Sequence, residues 1–444
     1  MEPGQPEKTH DTMHDADPRR AATAVVRRLR EAGFVGYFAG GCVRDELLGL
    51  TPTDYDVATD ATPDDVRGLF HRTAHVGAHF GVVLVREDEH TIEVATFRSD
   101  GSYTDSRRPD KVHFSTPEAD AQRRDFTINA LFLDPLAADE AGVRGAEAHG
   151  HVIDFVGGLA DLERGVVRAV GDADARLNED HLRALRAVRF AARFGYDLDE
   201  DTAEAIRRHA RDLKGVSRER VGDELRRMMA DPSRHDAAWK LQVLGLDEAI
   251  FDRHSDSAPR VLGRLAGDDA QTPPPTATCL AAWAIDRGAI VEATQIAGLV
   301  RHWRERLCLS NAESDAMKAT LRASIALDRE WADWGVAQQK RLAATPACLE
   351  ALRLLQASAP EEMVRVRVRI DELAATPGGI APEPWLSGDD LVELGLRPGP
   401  AFKHLLDRLY DAQLEGRTDS PDEARRLAIE LAKEPNTGSS DSNG

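Results

Sequence analysis

Hydrophobic and polar residues follow two different spacings along the chain. Between residues 21 and about 150, short apolar runs typical of β-strands include YFAGG, DYDVAT, FGVVLVR, TIEVATFR and INALFLD, whereas RAATAVVRRLREAG and PDDVRGLF have helical spacing. After about residue 175 the strand signal ends, and stretches such as LRALRAVRFAARFGY and AAWKLQVLGL repeat their apolar residues at helical spacing. The pattern predicts an α+β fold, in which a mixed module precedes an all-helical remainder.

Two segments rich in proline and glycine interrupt the helical part. They are DDAQTPPPTAT at 268–278 and ATPGGIAPEPW at 375–385, and consecutive prolines cannot lie inside a helix. The interruptions predict helical blocks over residues 176–267, 279–374 and 386–434. No sequence repeat of fixed period is present, which argues against a solenoid.

The distribution of charged residues says more about possible partners than the net charge does. The 444 residues contain 57 Lys and Arg against 77 Asp and Glu, for a net charge of −20, which would repel a polyanion at long range. Arginines are nevertheless clustered in RRLR, SRRPD, QRRDF and LRALRAVRFAARF. Nucleic acid therefore stays possible as a partner, because local basic patches can bind it.

Cysteines and the two chain ends indicate the compartment. Cys42, Cys279, Cys308 and Cys348 are scattered without metal-ligand spacing, which is typical of buried thiols in a reducing cytoplasm. The opening residues contain no apolar h-region, and no stretch approaches 18 uninterrupted apolar residues, so neither a secretory leader nor a membrane span is expected. The sequence predicts a cytoplasmic protein with disordered tails at 1–18 and 435–444.

An acidic pair suggests the chemistry. Residues two apart in a strand face the same way, so Asp54 and Asp56 of TDYDVAT would project both carboxylates from one face. Such a pair can bind two Mg²⁺ ions that assist phosphoryl transfer. Glu93, a single acid in the otherwise apolar TIEVATFR, is the candidate for a third carboxylate, with a solvent-facing strand residue as the alternative.

Two glycines precede this pair at a short distance. Gly40 and Gly41 of AGGCVRD lie between a predicted strand and a predicted helix, where backbone N–H groups can hold a triphosphate. Arg44 would add a charge-assisted contact. A plain glycine turn is the alternative, but it leaves the nearby carboxylate pair unexplained.

The order of these motifs resembles a known family. The segments that carry the likeness are GGCVRDELLG, DYDVATDATP, RRDFTINAL, DFVGGLADLERGVVRAVGD, NEDHLRALRAVRFAARFGY, SRERVGDEL, RLCLSNAE and LSGDDLVELGLRPGP. Together they resemble the class II tRNA nucleotidyltransferases and bacterial poly(A) polymerases, within the polymerase-β-like nucleotidyltransferases. The resemblance covers roughly residues 21–433.

The resemblance implies a polymerase-β-like nucleotidyltransferase head followed by an all-helical neck, body and tail. The implied bounds are 19–150 for the head, 151–267 for the neck, 268–374 for the body and 375–434 for an RNA-binding tail. The implied activity is addition of nucleotides to an RNA 3′ end without a nucleic-acid template. Asp54 and Asp56 match the family's metal-binding aspartates, with a two-Mg²⁺ site expected.

The resemblance also assigns nucleotide-binding residues. Gly40, Gly41 and Arg44 match the motif beside the triphosphate, and RRDFTINA matches the motif that contacts the ribose. Nucleotide contacts are therefore expected from its residues Arg124, Asp125 and Asn129.

A second pair could read the base of the incoming nucleotide. Asp180 and Arg183 of NEDHLRALRAVRFAARF are three residues apart, hence neighbours on one face of the helix predicted there. A carboxylate that accepts and a guanidinium that donates suit cytosine and adenine but not uracil or guanine. The resemblance supports this function over a surface salt bridge, and it leaves Arg186 and Arg189 as contacts to phosphate or within the protein.

Other features bear on which member of the family this is. The loop RSDGSYTDSRRPDKVHFS is intact, whereas relatives that add only CC tend to lack it, so addition of the terminal A is expected. The family often has Gly where Ser106 stands between Asp105 and Arg107, which restricts a hinge.

The choice of RNA is the remaining question. Bacterial poly(A) polymerases commonly carry a basic segment where this chain reads HVGAHFGVVLV, and a basic extension where this chain ends acidic. We therefore expect tRNA as the partner, with CTP and ATP as donors. Addition of A alone, polyadenylation of other RNA 3′ ends and a non-catalytic RNA-binding relative stay open.

Overall fold

The computed structural model divides into two compact units, which are described separately. The first comprises Met1–Glu224 and Lys240–His254, and the second Leu225–Trp239 and Ser255–Gly444. The structure describes residues 17–75, 81–100, 112–137, 150–267, 272–290, 292–399 and 401–433. Most of both predicted tails and the centre of the loop with Asp105, Ser106 and Arg107 lie outside these residues. The predicted head, neck, body and tail bounds stay predictions.

Eleven strands are present among the described residues. They are β1 (Gly36–Ala39), β2 (Asp56–Thr59), β3 (Thr73–His75), β4 (Val82–Glu87), β5 (His90–Thr96), β6 (Arg98–Asp100), β7 (Val112–Phe114), β8 (Phe132–Asp134), β9 (His151–Ile153), β10 (Val166–Val167) and β11 (Asp197–Leu198). Seven of them form one sheet in the order β3-β4-β5-β2-β1-β8-β9. Only β2 and β5 run parallel in this sheet, and the other neighbouring pairs are antiparallel.

The first helix of this unit has a capped N-terminus. Asp17 accepts a hydrogen bond from the backbone N–H of Arg19, and Pro18 occupies the first helical turn, where no N–H is needed. Helix α1 therefore starts inside the range predicted as a tail. The helices up to the end of the first unit's main segment are α1 (Pro18–Glu31), α2 (Gly41–Leu47), α3 (Pro63–Leu69), α4 (Pro117–Gln122), α5 (Gly158–Arg164), α6 (Ala173–Glu179), α7 (Leu182–Phe194), α8 (Glu200–His209) and α9 (Arg218–Ala230).

An aromatic core fixes the centre of the sheet. Phe97 and Phe132 are fully buried, and their rings meet edge to face at a centroid distance of 5.8 Å. Tyr37 packs against both rings. Aromatic pairs of this kind contribute about 0.5–1.5 kcal/mol of stability beyond that of their buried area. The pairs therefore stabilise the strands that carry the candidate site.

Three local predictions are wrong. The strand pattern does not end at about residue 175, because β11 pairs with β10 in a parallel two-stranded sheet. The ends of the polar loop are not irregular, because β6 and β7 pair in antiparallel register from Arg98↔Phe114 to Asp100↔Val112. The segment NEDHLRALRAVRFAARF is not one helix, because α6 ends at Glu179 and α7 begins at Leu182.

The remaining described helices continue the helical part, as predicted. They are α10 (Arg234–Val243), α11 (Leu246–Phe251), α12 (Arg260–Arg264), α13 (Thr276–Asp286), α14 (Ile296–Leu307), α15 (Asn311–Ile325), α16 (Val336–Ala343), α17 (Pro346–Ser358), α18 (Pro360–Ala374), α19 (Gly388–Glu393), α20 (Ala401–Leu414) and α21 (Pro421–Leu431). The three prolines at 273–275 and the whole of segment 375–385 lie between helices, but α13 begins at Thr276, inside the first predicted break of 268–278. None of the described helices is both long and apolar enough to cross a membrane.

The second unit has separate apolar clusters. One surrounds Leu327, Trp331 and Leu355, and another, nearer the chain end, joins Leu391, Leu409 and other residues of α19, α20 and α21. The expectation that all cysteines are buried is wrong at one position. Cys42, Cys279 and Cys348 are buried, whereas Cys308, which follows α14, is exposed.

Candidate active site

Three carboxylates lie together where the start of β2 meets the middle of the parallel strand β5. Residues 54–57 alternate between exposed and buried, so Tyr55 points inward while Asp54 and Asp56 face out. The Tyr55 hydroxyl donates to Glu46 Oε1 at 2.7 Å, which fixes this alternation. Asp56 is the direct partner of Glu93 in the parallel register of β2 and β5. Asp54 lies just before β2 rather than in it, but the predicted grouping of the three acids is present.

The electrostatics of this group fit a divalent cation. Crowding by protein atoms, together with the negative charges of Glu93 and Asp54, raises the pKa of Asp56 to about 6, although part of the residue stays exposed. Arg124 opposes this effect only in part. Carboxylate oxygens are the ligand atoms that Mg²⁺ prefers, so the three acids are a suitable ligand set. Without a bound cation, their negative charges repel one another.

Removing the charge of Asp56 is expected to stabilise the metal-free protein at neutral pH. Its pKa of about 6 lies above the ordinary value of 3.8, so ionisation lowers the free energy of unfolding above about pH 6, and this cost disappears below about pH 4. Asp56→Asn should raise the melting temperature in EDTA at neutral pH by a few degrees at most, because solvent screens the group. Thermal unfolding across this pH range measures the difference, and a lower melting temperature for Asp56→Asn at neutral pH would contradict the raised pKa.

The backbone conformation and close packing at Gly40 explain why a glycine stands there. Gly40 has φ +76°, a conformation that favours glycine, and a Cβ atom there would lie 2.7 Å from Nη1 of Arg124. The Gly40 N–H donates to the carbonyl oxygen of Leu131, and Gly41 begins α2. Gly40 therefore permits the close approach of Arg124, and the predicted triphosphate contact of the two glycines stays a prediction.

A buried acid that the sequence analysis missed positions the arginine pair of RRDFTINA. Asp120 accepts hydrogen bonds from Arg123 at 2.9 Å and from Nη2 of Arg124 at 3.0 Å. Burial alone would raise the pKa of Asp120, but the charges of Arg124 and Arg123 hold it below its usual range. Arg124 also donates to the carbonyl oxygen of Asn129. Its guanidinium is thus fixed near Asp56, where it can meet an anion.

A chain of polar contacts joins the other predicted nucleotide-binding residues. Arg44 is buried, and its guanidinium donates to Asp45 Oδ1 and to Asn129 Oδ1. The Asn129 amide donates to Asp125 Oδ1 at 3.1 Å, and Arg186 of α7 donates to Asp125 Oδ2 at 2.8 Å. Burial lowers the pKa of Arg44 although Asp45 opposes the shift. The network joins α2 and the segment from Asp125 to Asn129 to α7, and nucleotide contacts of its members stay predictions.

Two arginines of α7, together with Arg44 of α2, pack around the ring of Phe190. The Phe190 ring lies 4.3 Å from the guanidinium carbon of Arg189, 5.4 Å from that of Arg186 and 5.2 Å from that of Arg44. Arg189 also donates to the buried Glu224 at 2.6 Å. These interactions support the alternative that Arg186 and Arg189 make contacts within the protein.

The proposed base readers are held by different partners. Asp180 lies between α6 and α7 in an extended conformation, so the expectation that it shares a helix with Arg183 is wrong. Arg220 donates two hydrogen bonds to the Asp180 carboxylate, at 2.6 and 3.2 Å. Arg183 donates to Glu179 and, at 2.7 Å, to the carbonyl oxygen of Arg176. Sequence reasoning missed Glu179 and Arg220, although the motifs NEDHL and SRERVGDEL contain them.

This sheet, with its three carboxylates and fixed arginines, defines a polymerase-β-like nucleotidyltransferase head. The family model described as the Poly A polymerase head domain matches residues 36–168. A second model, described as the probable RNA and SrmB-binding site of polymerase A, matches residues 195–256.

Individual relatives extend the match over nearly the whole chain. The CCA-adding enzyme of Lacticaseibacillus paracasei is 32% identical over 412 residues, which span 92% of this chain and 94% of the relative. That of Geobacillus thermodenitrificans is 41% identical over 230 residues, and there the chain spans about half of the relative, 54%. A solved structure of Bacillus stearothermophilus CCA-adding enzyme in complex with CTP gives a TM-score of 0.71 at 28% identity, covering 94% of this chain and 98% of that one. The chain belongs to the CCA-adding enzyme family, whose members are nucleotidyltransferases.

Proposed function

We propose that this protein adds CCA, or the terminal A, to the 3′ ends of tRNA without a nucleic-acid template, taking CTP and ATP as donors. The observation that carries the proposal is the direct pairing of Asp56 with Glu93 beside Asp54, in a chain that matches CCA-adding enzymes along most of its length. The four free cysteines, three of them buried, support a cytoplasmic location.

The residues present fit a divalent metal ion, which we propose to be Mg²⁺. Asp54 and Asp56 would hold it, with Glu93 as a third candidate. When bound, it would activate the RNA 3′-hydroxyl and neutralise charge on the triphosphate as pyrophosphate leaves. Arg124, fixed by Asp120, lies where it can bind phosphate oxygens. The acids repel one another without the metal, so their grouping favours its binding.

Selection of the base is proposed for Asp180 and Arg183. Cytosine and adenine both present an amino group beside a ring-nitrogen acceptor, so one carboxylate and one guanidinium can satisfy either base. Arg220 fixes the carboxylate of Asp180, and Glu179 fixes the guanidinium of Arg183. The two readers are therefore oriented independently, and each keeps capacity for a further hydrogen bond.

Product sequencing tests this function. Purified full-length protein is incubated with Mg²⁺, CTP and ATP, and either tRNA that ends before CCA or tRNA that ends in CC. Addition of CCA to the first substrate and of a single A to the second is the expected result. Addition of A to the second substrate alone would identify an A-adding enzyme, and a long A tail would identify a poly(A) polymerase. No incorporation with Mg²⁺ or Mn²⁺ would support the non-catalytic alternative.

A further inference from the structure

A group of two histidines and an aspartate lies outside the carboxylate site. His181 directly precedes α7, His209 is the last residue of α8, and Asp212 lies in the 3₁₀ helix Ala210–Gly215 that follows. One ring nitrogen of each histidine and a carboxylate oxygen of Asp212 all lie within 4.8 Å of one another. Three neighbouring segments thus bring metal-ligating atoms together.

The ring of His209 is held by acids on both sides. Its Nδ1 atom lies 2.9 Å from Asp212 Oδ2, and its Nε2 atom lies 3.0 Å from Asp174 Oδ1. Asp174 also accepts two hydrogen bonds from Arg208, at 2.6 and 3.1 Å. Asp174 is therefore positioned to accept a proton from Nε2 of His209, and in the tautomer that carries this proton the Nδ1 lone pair is available to a metal ion beside Asp212. Carboxylates orient metal-binding histidines in this way.

The second histidine has an unused buried nitrogen. Within the part of the chain that the structure describes, Nδ1 of His181 is inaccessible to solvent and has no hydrogen-bond partner. Its ring stacks on that of His209, with centroids 5.8 Å apart and planes inclined by 29°. A buried polar atom without a partner destabilises the folded protein. A cation bound to this nitrogen in the plane of the ring would supply the missing partner.

We propose that His181, His209 and Asp212 form a binding site for a divalent transition-metal ion such as Zn²⁺, with Asp174 orienting His209 from outside. Imidazole and carboxylate ligands suit Zn²⁺ better than Mg²⁺, which prefers oxygen. Ligand atoms around tetrahedral zinc are about 3.3 Å apart, so separations of up to 4.8 Å have to close by at most about 1.5 Å. Rotation of the exposed Asp212 side chain, with small shifts of the two partly buried histidines, can supply this change.

The proposed ion would join elements that surround a base reader. It would tie the start of α7 to the end of α8, next to Asp180, the residue proposed to read the base. Its function is therefore structural, and the nucleotidyl transfer does not pass through it. The site is chemically distinct from the all-oxygen group at Asp54, Asp56 and Glu93, so the two can be filled by different ions.

Metal binding is tested on the full chain with excess Mg²⁺ present, so that oxygen-ligand sites are filled. Equilibrium dialysis against Zn²⁺ measures stoichiometry and affinity, and the visible absorption of Co²⁺ reports nitrogen ligands. We expect one tightly bound Zn²⁺ per chain, with the affinity reduced at least about 100-fold in His181→Ala and about 10–100-fold in Asp174→Asn. His71→Ala, which changes an exposed histidine, is the matched control and should bind like the unaltered protein.

Thermal unfolding gives a second readout. Zn²⁺ should raise the melting temperature of the unaltered protein and of His71→Ala, but not that of His181→Ala. His181→Ala removes no hydrogen bond at Nδ1, so it should fold, whereas His209→Ala would also remove the contacts to Asp212 and Asp174. Absence of Zn²⁺ binding, or equal Zn²⁺ affinity in His181→Ala and His71→Ala, would overturn the proposal.

Discussion

Asp56→Asn should reduce nucleotide incorporation at least about 1,000-fold, which corresponds to roughly 4 kcal/mol of lost transition-state stabilisation. An amide keeps the shape of the side chain but cannot supply the negative charge that a divalent cation needs. No hydrogen bond to the Asp56 carboxylate exists within the described residues, so the exchange breaks no structural contact. The measurement is the single-turnover rate of CMP addition to tRNA that ends before CCA.

Two further variants make this result specific. Asp64→Asn, which changes an exposed acid on α3, serves as the matched control and should alter the rate by less than about twofold, as surface substitutions usually do. Glu93→Gln should lie between the two if Glu93 supports the metal without binding it directly. A folded Asp56→Asn protein that keeps more than about one tenth of the rate would rule out the proposed metal site.

The sequence allowed the centre of the site to be predicted because its signals are local. Alternation around Tyr55 is enough to place Asp54 and Asp56 on one side of the chain. A lone acid in an apolar strand marked Glu93, although the sequence does not reveal that β5 lies beside β2 in parallel. The register that brings Glu93 opposite Asp56 is a property of the whole sheet, and it required the structure.

The break between α6 and α7 could not be predicted for the opposite reason. Helical spacing continues through NEDHLRAL, and neither Asp180 nor His181 is a strong helix breaker. The extended conformation of Asp180 is accompanied by a double hydrogen bond from Arg220, which lies 40 residues further along the chain. A long-range ion pair of this kind outweighs local propensity and leaves no periodic signal.

Buried arginines were the second feature that the sequence concealed. Arg44 looks like an exposed helix residue, and a contact to a triphosphate was expected from it. In the structure Asp45 compensates the charge of Arg44, and the Arg44 guanidinium packs against the rings of Phe190 and Phe194. Acids that pair with arginines are common in every sequence, so the partners became recognisable only from the distances.

Arg183→Ala should lower the preference for CTP over UTP, and for ATP over GTP, by about 10- to 100-fold. A base with the wrong edge leaves a buried donor or acceptor unpaired at about 1–3 kcal/mol, and this penalty is lost when the guanidinium is removed. Glu179 keeps its hydrogen bond from Arg176 at 2.8 Å, so the substitution leaves no uncompensated acid behind. The kcat/KM values for all four nucleotides, measured with tRNA ending before CCA and in CC, report the change.

The structure provides both a control and a companion for that variant. Arg207→Ala removes an exposed arginine of α8 and should leave the preference unchanged. Arg220→Ala keeps both proposed readers but releases the Asp180 carboxylate, so it should weaken discrimination in the same direction as Arg183→Ala. Because each reader is oriented by its own partner, the selectivity of the site should depend on both ion pairs. Strict C and A preference in a folded Arg183→Ala protein would show that the base is read elsewhere.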